Sequence, residues 1–247
     1  MRKKETEQRV KKTNMPVIYF RRFCKNKAAV AGLAVFAALI LLAVSAPVIM
    51  PYPYDQIDIV NASQGPSAQH LLGTDAMGRD ILSRLMYGGR YSLTIGVCTT
   101  LLATFFGVVL GAVAGYFGNM TDNILMRFMD IFQAIPGMLL AIVISAVLGP
   151  GFFNCILALA IGMCPPVVRM MRASILNIRG MDYVEAAASI DCSSFRIIVK
   201  YILPNSFSPV IVQATMSVAG AILQAAALSF IGLGVQPPFP EWGAMLS

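Results

Sequence analysis

A chain of 247 residues that is 57% hydrophobic, only 13% charged and has a mean hydropathy of +0.71 is not a soluble domain, since soluble chains carry about 25% charge. Its formal net charge of +7 does not mark a nucleic-acid binder, because ten of the 19 Lys and Arg crowd into residues 1–27. The charges avoid five runs, about 28–50, 92–117, 128–148, 151–171 and 206–234, so the pattern predicts an all-α, polytopic transmembrane helical bundle with five visible spans.

Residues 1–27 read as a basic cytoplasmic tail. Val17, Ile18, Tyr19, Phe20 and Phe23 interleave with its cations, which predicts a short interfacial helix over 15–26 against anionic membrane lipid. The first span, 28–50, has 23 residues without a charge, about 35 Å of helix and enough to cross a ~30 Å hydrocarbon core. That exceeds the apolar core of a cleaved signal peptide, and further spans follow it.

Residues 51–91 form an extracytoplasmic loop in this reading, with Arg79, Arg84 and Arg90 against Asp55, Asp58, Asp75 and Asp80. Positive charge returns around a loop at 172–205, with Arg169, Arg172, Arg179, Arg196 and Lys200. The positive-inside rule therefore places the N-terminus and that loop in the cytoplasm, and the four crossings between them agree by parity. Within 51–91, Pro51-Tyr-Pro53-Tyr-Asp55 is turn chemistry, and Asp80 is placed to cap a helix carrying Ile81, Leu82 and Leu85 on one side. Gly73–Gly78 lacks the GxxxxGK[ST] pattern and is no phosphate loop.

From residue 92 to 247 the chain reads as one core. Gly107, Gly111 and Gly115 in the second span are a helix-packing stripe that lets backbones approach closely. In the third, Arg127 and Asp130 stand three apart and are expected to pair. Pro165-Pro166 is expected to end or kink the fourth. Cys24, Cys98, Cys155, Cys164 and Cys192 show no ligand spacing and His70 is the single histidine, so no metal site is expected.

The 172–205 loop is built like a mechanical part. Asp182-Tyr-Val-Glu185 reads as a capping box, and Ala186, Ala187 and Ala188 follow as strong helix formers of little bulk. Asp191-Cys-Ser-Ser breaks the helix, Ser193 or Ser194 caps a second one through Ile202, and Pro204 is expected to close it. A helix, sharp turn and helix can carry a rigid-body push to a soluble partner; an ordinary connector needs none of these features. In the last span, Gln213, Ser217, Gly220 and Gln224 fall at i, i+4, i+7 and i+11 on one stripe. Polar groups in lipid need partners or water, so the stripe either packs on another helix or lines a translocation pathway.

Glu185, Ala186, Ala187, Leu203 and Pro204 stand at the spacing of the EAA loop of ATP-binding-cassette (ABC) importer permeases, which this segment resembles. With LLGTDAMGRDILSRLMYGGRYSL at 71–93 and Pro237-Pro-Phe-Pro-Glu-Trp-Gly243, the chain resembles the dipeptide/oligopeptide/nickel group of those permeases over essentially its whole length. The resemblance implies the type I ABC importer permease fold and a multi-pass protein of the bacterial cell membrane. It implies a second permease subunit as heterodimer partner, two P-loop ATPase subunits docked on Glu185, Ala186, Ala187, Asp191, Leu203 and Pro204, and an extracytoplasmic solute-binding protein. ATP and Mg are then used by those partners, while this chain is no enzyme, has no catalytic residue and binds no cofactor. Di- or oligopeptides are the expected substrates, with nickel, another small solute, or a non-transporting membrane scaffold as alternatives. The family's elbow glycine falls at Asp191, one of the few other residues that enter the left-handed region tolerably. The family also continues past Trp242-Gly243 into a sixth span, so a truncated sequence is expected.

Overall fold

A computed structural model describes residues 23–246; residues 15–22 of the helix expected at 15–26 lie outside them, and residues 23–25 are helical. Helix α1 (Lys27–Ile49) starts where the Asn26 side chain accepts the Ala29 N–H at 3.2 Å. It is apolar all round, and only Ala43 and Ala46 are buried. Such a helix, unable to hide its surface in water, belongs in lipid or against another membrane subunit.

Helix α2 (Ile81–Phe117) has 37 residues and begins at Asp80, whose side chain accepts the Ser83 N–H. The cap is the one expected, but the helix it starts does not stop at 91; it runs unbroken into the second span, so the loop closes at Asp80. Gly88 and Gly89 lie inside this helix because Pro240 and Trp242 press on them: a Cβ on Gly89 would meet the indole at 3.1 Å.

The span expected at 128–148 is two helices, α3 (Asn119–Ala134) and α4 (Gly137–Leu148), bent by 88°. Ile135 is extended and Pro136 follows it, as the clash between a proline ring and the preceding residue demands. Helix α5 (Phe152–Arg179) passes through Pro165-Pro166 to Arg179, so the prolines do not end it. Neighbouring helices make such prolines tolerable in membrane helices.

Helices α2 and α5 are parallel. A Cβ on Gly107 would meet Val167 at 2.6 Å, one on Gly111 would meet Met171 at 2.7 Å, and one on Gly115 would meet Ile175 at 2.9 Å, all advancing together. The Tyr91 and Phe152 rings sit 5.9 Å apart at one end, and Arg179 Nη1 donates to the Tyr116 carbonyl at 2.9 Å at the other. Only α3–α4 connects the end of α2 to the start of α5, so the bent pair must traverse the bundle despite its break. Helix α6 (Asp182–Ser189) then leads to α7 (Ser194–Phe230), which returns alongside α2, with Ile222 against Gly96. Five crossings result, and among the described residues no strand forms beyond a single Thr74–Asp80 bridge.

The expected helix end at Leu203-Pro204 is absent. A π-helical stretch, Ile197–Ile202, passes directly into the α-helical part that begins at Leu203. The wider π turn gives Pro204 room where its ring would crowd the preceding carbonyl. The last span ends at Phe230, short of the expected 234.

Candidate functional site

The end of the bundle that carries α6 will be called the elbow end, and the opposite end, with residues 50–80 and 231–246, the cap end. At the elbow, Val184 and Ala187 of α6 are buried in one apolar cluster with Ile175 and Ile178 of α5 and Ile197 and Ile202 of α7. The cluster seats α6 directly on the end of α5. The expected capping box is not formed: Met181 takes the N-cap position in an extended conformation, Asp182 is the first helical residue, and no side-chain cap bond is made. Met181 N–H instead bonds back to the Ile178 carbonyl at 3.0 Å, which turns the chain without Asp182. Ser193 likewise makes no side-chain cap for the next helix.

Asp191 has φ +60. Its N–H bonds to the Ala188 carbonyl at 3.1 Å, and the Cys192 N–H reaches the Ala187 carbonyl at 3.3 Å. Those two bonds are a Schellman motif with Asp in the place usually held by glycine. Around this turn Ile190 is 73% exposed and Phe195 77% exposed. Glu185 and Ala186 also face outward, while Ala187 is inside. Leu203 packs under the apolar cluster and Pro204 lies exposed on α7. The EAA-like residues therefore divide: Glu185, Ala186 and Asp191 share the outer surface of the elbow, and Ala187 and Leu203 hold it together.

The α7 stripe is half-buried throughout, with Gln213 Nε2 donating to Ser217 Oγ at 3.3 Å. A Cβ on Gly220 would meet nothing within 4 Å. Space is thus open at Gly220, with Gln213, Ser217 and Gln224 half-buried on the same stripe, and α7 packs on α2 through Val218 and Ile222.

Arg127 and Asp130 do not pair as expected. Asp130 bonds Arg169 of α5 at 2.5 Å, and Asp122 takes a bidentate grip on Arg172 through Nε and Nη2, both at 2.5 Å.

The cap end holds a lock that the sequence reading passed over. Glu241 is fully buried; Ser92 Oγ donates to its Oε1 at 3.0 Å, and the Ala244 N–H donates to its Oε2 at 3.0 Å. Trp242 Nε1 donates to the Leu85 carbonyl at 3.0 Å. The signal was present in Gly88-Gly89 and Pro-Glu-Trp-Gly, but Trp242 lies 150 residues from Ser92 on the glycines' helix and nothing local joins them. Nearby, Asp80 Oδ2 accepts both the Ser83 N–H at 2.8 Å and its hydroxyl at 2.7 Å, while His70 Nδ1 lies 3.0 Å from Oδ1. Burial alone would raise the pKa of Asp80, but these hydrogen bonds outweigh it and hold the carboxyl below its usual value. Asp75 is lowered in the same way, burial being outweighed by the backbone N–H groups of Arg79 and Met77 and the Arg79 side chain. Among the described residues no group of three or more His, Cys, Asp or Glu could hold a metal ion.

Long apolar helices, one of them bent, with a compact helical elbow between the fourth and fifth crossings, define a polytopic membrane permease. The chain belongs to the family described as "Binding-protein-dependent transport system inner membrane component", which matches residues 107–247. Residues 18–66 match the "N-terminal TM domain of oligopeptide transport permease C". It is 45% identical over 228 residues to the dipeptide transport system permease protein DppC of Alkalihalophilus pseudofirmus, covering 92% of this chain and 75% of that one. Identity to the di/tripeptide transport system permease protein DppC of Pseudomonas aeruginosa is 43% over 235 residues, covering 93% and 78%. The glutathione transport system permease protein GsiD of Pectobacterium atrosepticum is 40% identical over 230 residues, covering 93% and 76%.

Proposed function

We propose that this chain is one of two membrane-spanning permease subunits of an ATP-driven ABC importer of di- or oligopeptides. The observation that carries the reading is the elbow: a short helix cemented to the end of α5 that turns Glu185, Ala186, Ile190 and Phe195 outward. A rigid element with an exposed apolar surface of this kind suits a soluble partner. The relatives named for dipeptide, di/tripeptide and glutathione transport support a peptide substrate.

In this reading the elbow end faces the cytoplasm, in keeping with the positive charge gathered there, and docks a P-loop ATPase subunit. The cap end faces the solute-binding protein. Nucleotide hydrolysis belongs to the ATPase subunits, since this chain has no phosphate-loop pattern. The half-open stripe of Gln213, Ser217 and Gln224 lines the pathway completed by the second permease. ATP binding draws the elbows together and biases the bundle between inward- and outward-facing states by its differential affinity for them.

Capture of the tagged chain from solubilised membranes tests the reading. The native chain should bring down ATPase subunits, and Glu185→Arg or Ala186→Phe should lose them while still inserting. Ala187→Phe should differ in kind: it overfills the apolar cluster at a cost of about 1–3 kcal/mol and lowers the amount of folded chain as well. Recovery of ATPase subunits undiminished by Glu185→Arg and Ala186→Phe would count against the elbow as the docking site.

A further inference from the structure

Helix α3 buries a single side chain, Met129, and its other attachment to α5 is polar. Beside Met129, an open groove of about 280 Å³ lies between α2, α3 and α5, bounded by Leu102, Phe106, Phe128, Phe132, Leu157 and Cys164. Besides buried Met129, what joins α3 to its neighbour is the pair of ion contacts, Asp122 with Arg172 and Asp130 with Arg169. Both arginines stand on α5, within three residues of each other, and Met171 between them belongs to the same apolar cluster as Val184 and Ala187 of the elbow. The N-terminal side of α3 is joined to α2 through Gly118 at φ +64, and its C-terminal side ends at the 88° bend. The helix thus has a pivot at each end and two ionic grips between them.

Resting on the importer-permease reading, we infer that Asp122–Arg172 and Asp130–Arg169 are the linkage by which displacement of the elbow is transmitted to the bent α3–α4 limb during transport. Displacing α6 displaces α5, because one apolar cluster holds both. The arginines then carry α3, and α4 follows through the bend. A limb packed into a filled core would need no such linkage, and one unattached to α5 would not respond to the elbow at all. Asp122–Arg172 is the stronger grip, being bidentate and with Asp122 only 13% exposed; Arg169 and Asp130 are each about half exposed. These four are positioning residues and touch no substrate in this scheme.

The test uses the transporter assembled with its partner subunits in proteoliposomes, reading ATPase rate with and without peptide-loaded binding protein. The quantity of interest is the ratio of stimulated to basal rate, because a linkage changes that ratio whereas a purely structural rivet changes only the amount of assembled complex. Asp122→Asn and Arg172→Gln should each lower the ratio on the order of ten-fold, the scale of a typical coupling between sites. Asp130→Asn should lower it less, and the charge exchange Asp122→Arg with Arg172→Asp should restore most of it. Single variants with a native ratio, or an exchange no better than the singles, would overturn the proposal. Should Asp122→Asn fail to accumulate, the more exposed Asp130→Asn carries the same readout, a lowered ratio supporting the linkage and a native one rejecting it. A native complex that neither assembles nor responds to loaded binding protein would instead reject the permease reading beneath it.

Discussion

The two ends of this bundle are held by different forces. At the cap end the chain is tied by directional polar bonds: Asp75 Oδ1 accepts the N–H groups of Met77 and Arg79 at 2.9 Å each, and its Oδ2 takes Arg79 Nε at 2.7 Å. Asp80 closes the start of α2, and Gly73 and Gly78 turn the chain at φ +82 and +74. At the elbow end the apolar cluster around Val184 and Ala187 supplies the cohesion, together with two backbone bonds at Asp191. The cap meets its carboxylates with its own donors, while at the elbow Ile190 and Phe195 stand outside, covered by none of the described residues, as Ile59 and Val60 do at the cap. A polar network prescribes geometry and leaves little room for replacement. An apolar cluster prescribes volume, and leaves the outer face free to be shaped by a partner.

If that contrast is right, the most severe single change belongs at the cap. Gly78 sits where an added Cβ would run into the backbone of Asp58, at a φ that β-branched residues avoid. Gly78→Val should cost more than about 3 kcal/mol, combining left-handed strain with overpacking. The single tryptophan, Trp242, packs at this end against Gly88 and Gly89 and reports on it directly. Its fluorescence melt should shift sharply downward or vanish for lack of folded protein. A melt like the native one would mean that the 58–78 contact is dispensable and the contrast overstated.

The cap should also answer to acid. Because the carboxyls of Asp80 and Asp75 are held below their usual range in the folded chain, each adds stability that is fully present above the unfolded value, about 3.9. That stability is lost as pH falls further, through the lowered folded-state value, where the native carboxylates finally take up protons. The Trp242 melt should therefore be insensitive to these two groups between about pH 5 and 7 and drop below about pH 4. Asp80→Asn should lower stability at neutral pH by about 1–2 kcal/mol, through the weakened cap, and should blunt the acid drop. An equally steep acid drop in the variant would assign the effect to other groups.

How much of this was legible depended on whether a signal was local. Long charge-free runs announced the spans, and Asp80, standing before an apolar-periodic segment, announced the start of α2. The αL turn at Asp191 was likewise readable from the family spacing and the tolerance of Asp for that region. Several of the errors share a cause, namely partners distant in sequence. Asp130 left its i, i+3 neighbour for Arg169, 39 residues away, and Glu241 found Ser92 across 149. Pro204 reads as a helix breaker yet rides inside α7, while Pro136, inside the span expected at 128–148, separates α3 from α4. The π turn that accommodates Pro204 has no mark in the sequence. Ala186 and Ala187 are chemically identical, and only the fold decides which one faces out.

The smallest expected effect tests the elbow from the inside. Asp191 occupies a left-handed position that costs an ordinary residue about 1–2 kcal/mol and glycine almost nothing, with Asp between them. Asp191→Gly removes that strain but also frees the unfolded chain, a loss of roughly 0.4–1 kcal/mol. The two oppose, so the net change should stay below about 1 kcal/mol in either direction. Asp191→Val, which keeps a side chain but resists the left-handed region, should be clearly worse. Hydrogen exchange at the Asp191 and Cys192 amides reads the turn itself, since both are donors in its two closing bonds. Protection should survive in the glycine variant and fall in the valine variant. If both variants lose it equally, the Asp191 carboxylate holds the elbow together by a contact of its own. The elbow would then depend on a specific polar group just as the cap does, and the division between the two ends would fail where it is most easily checked.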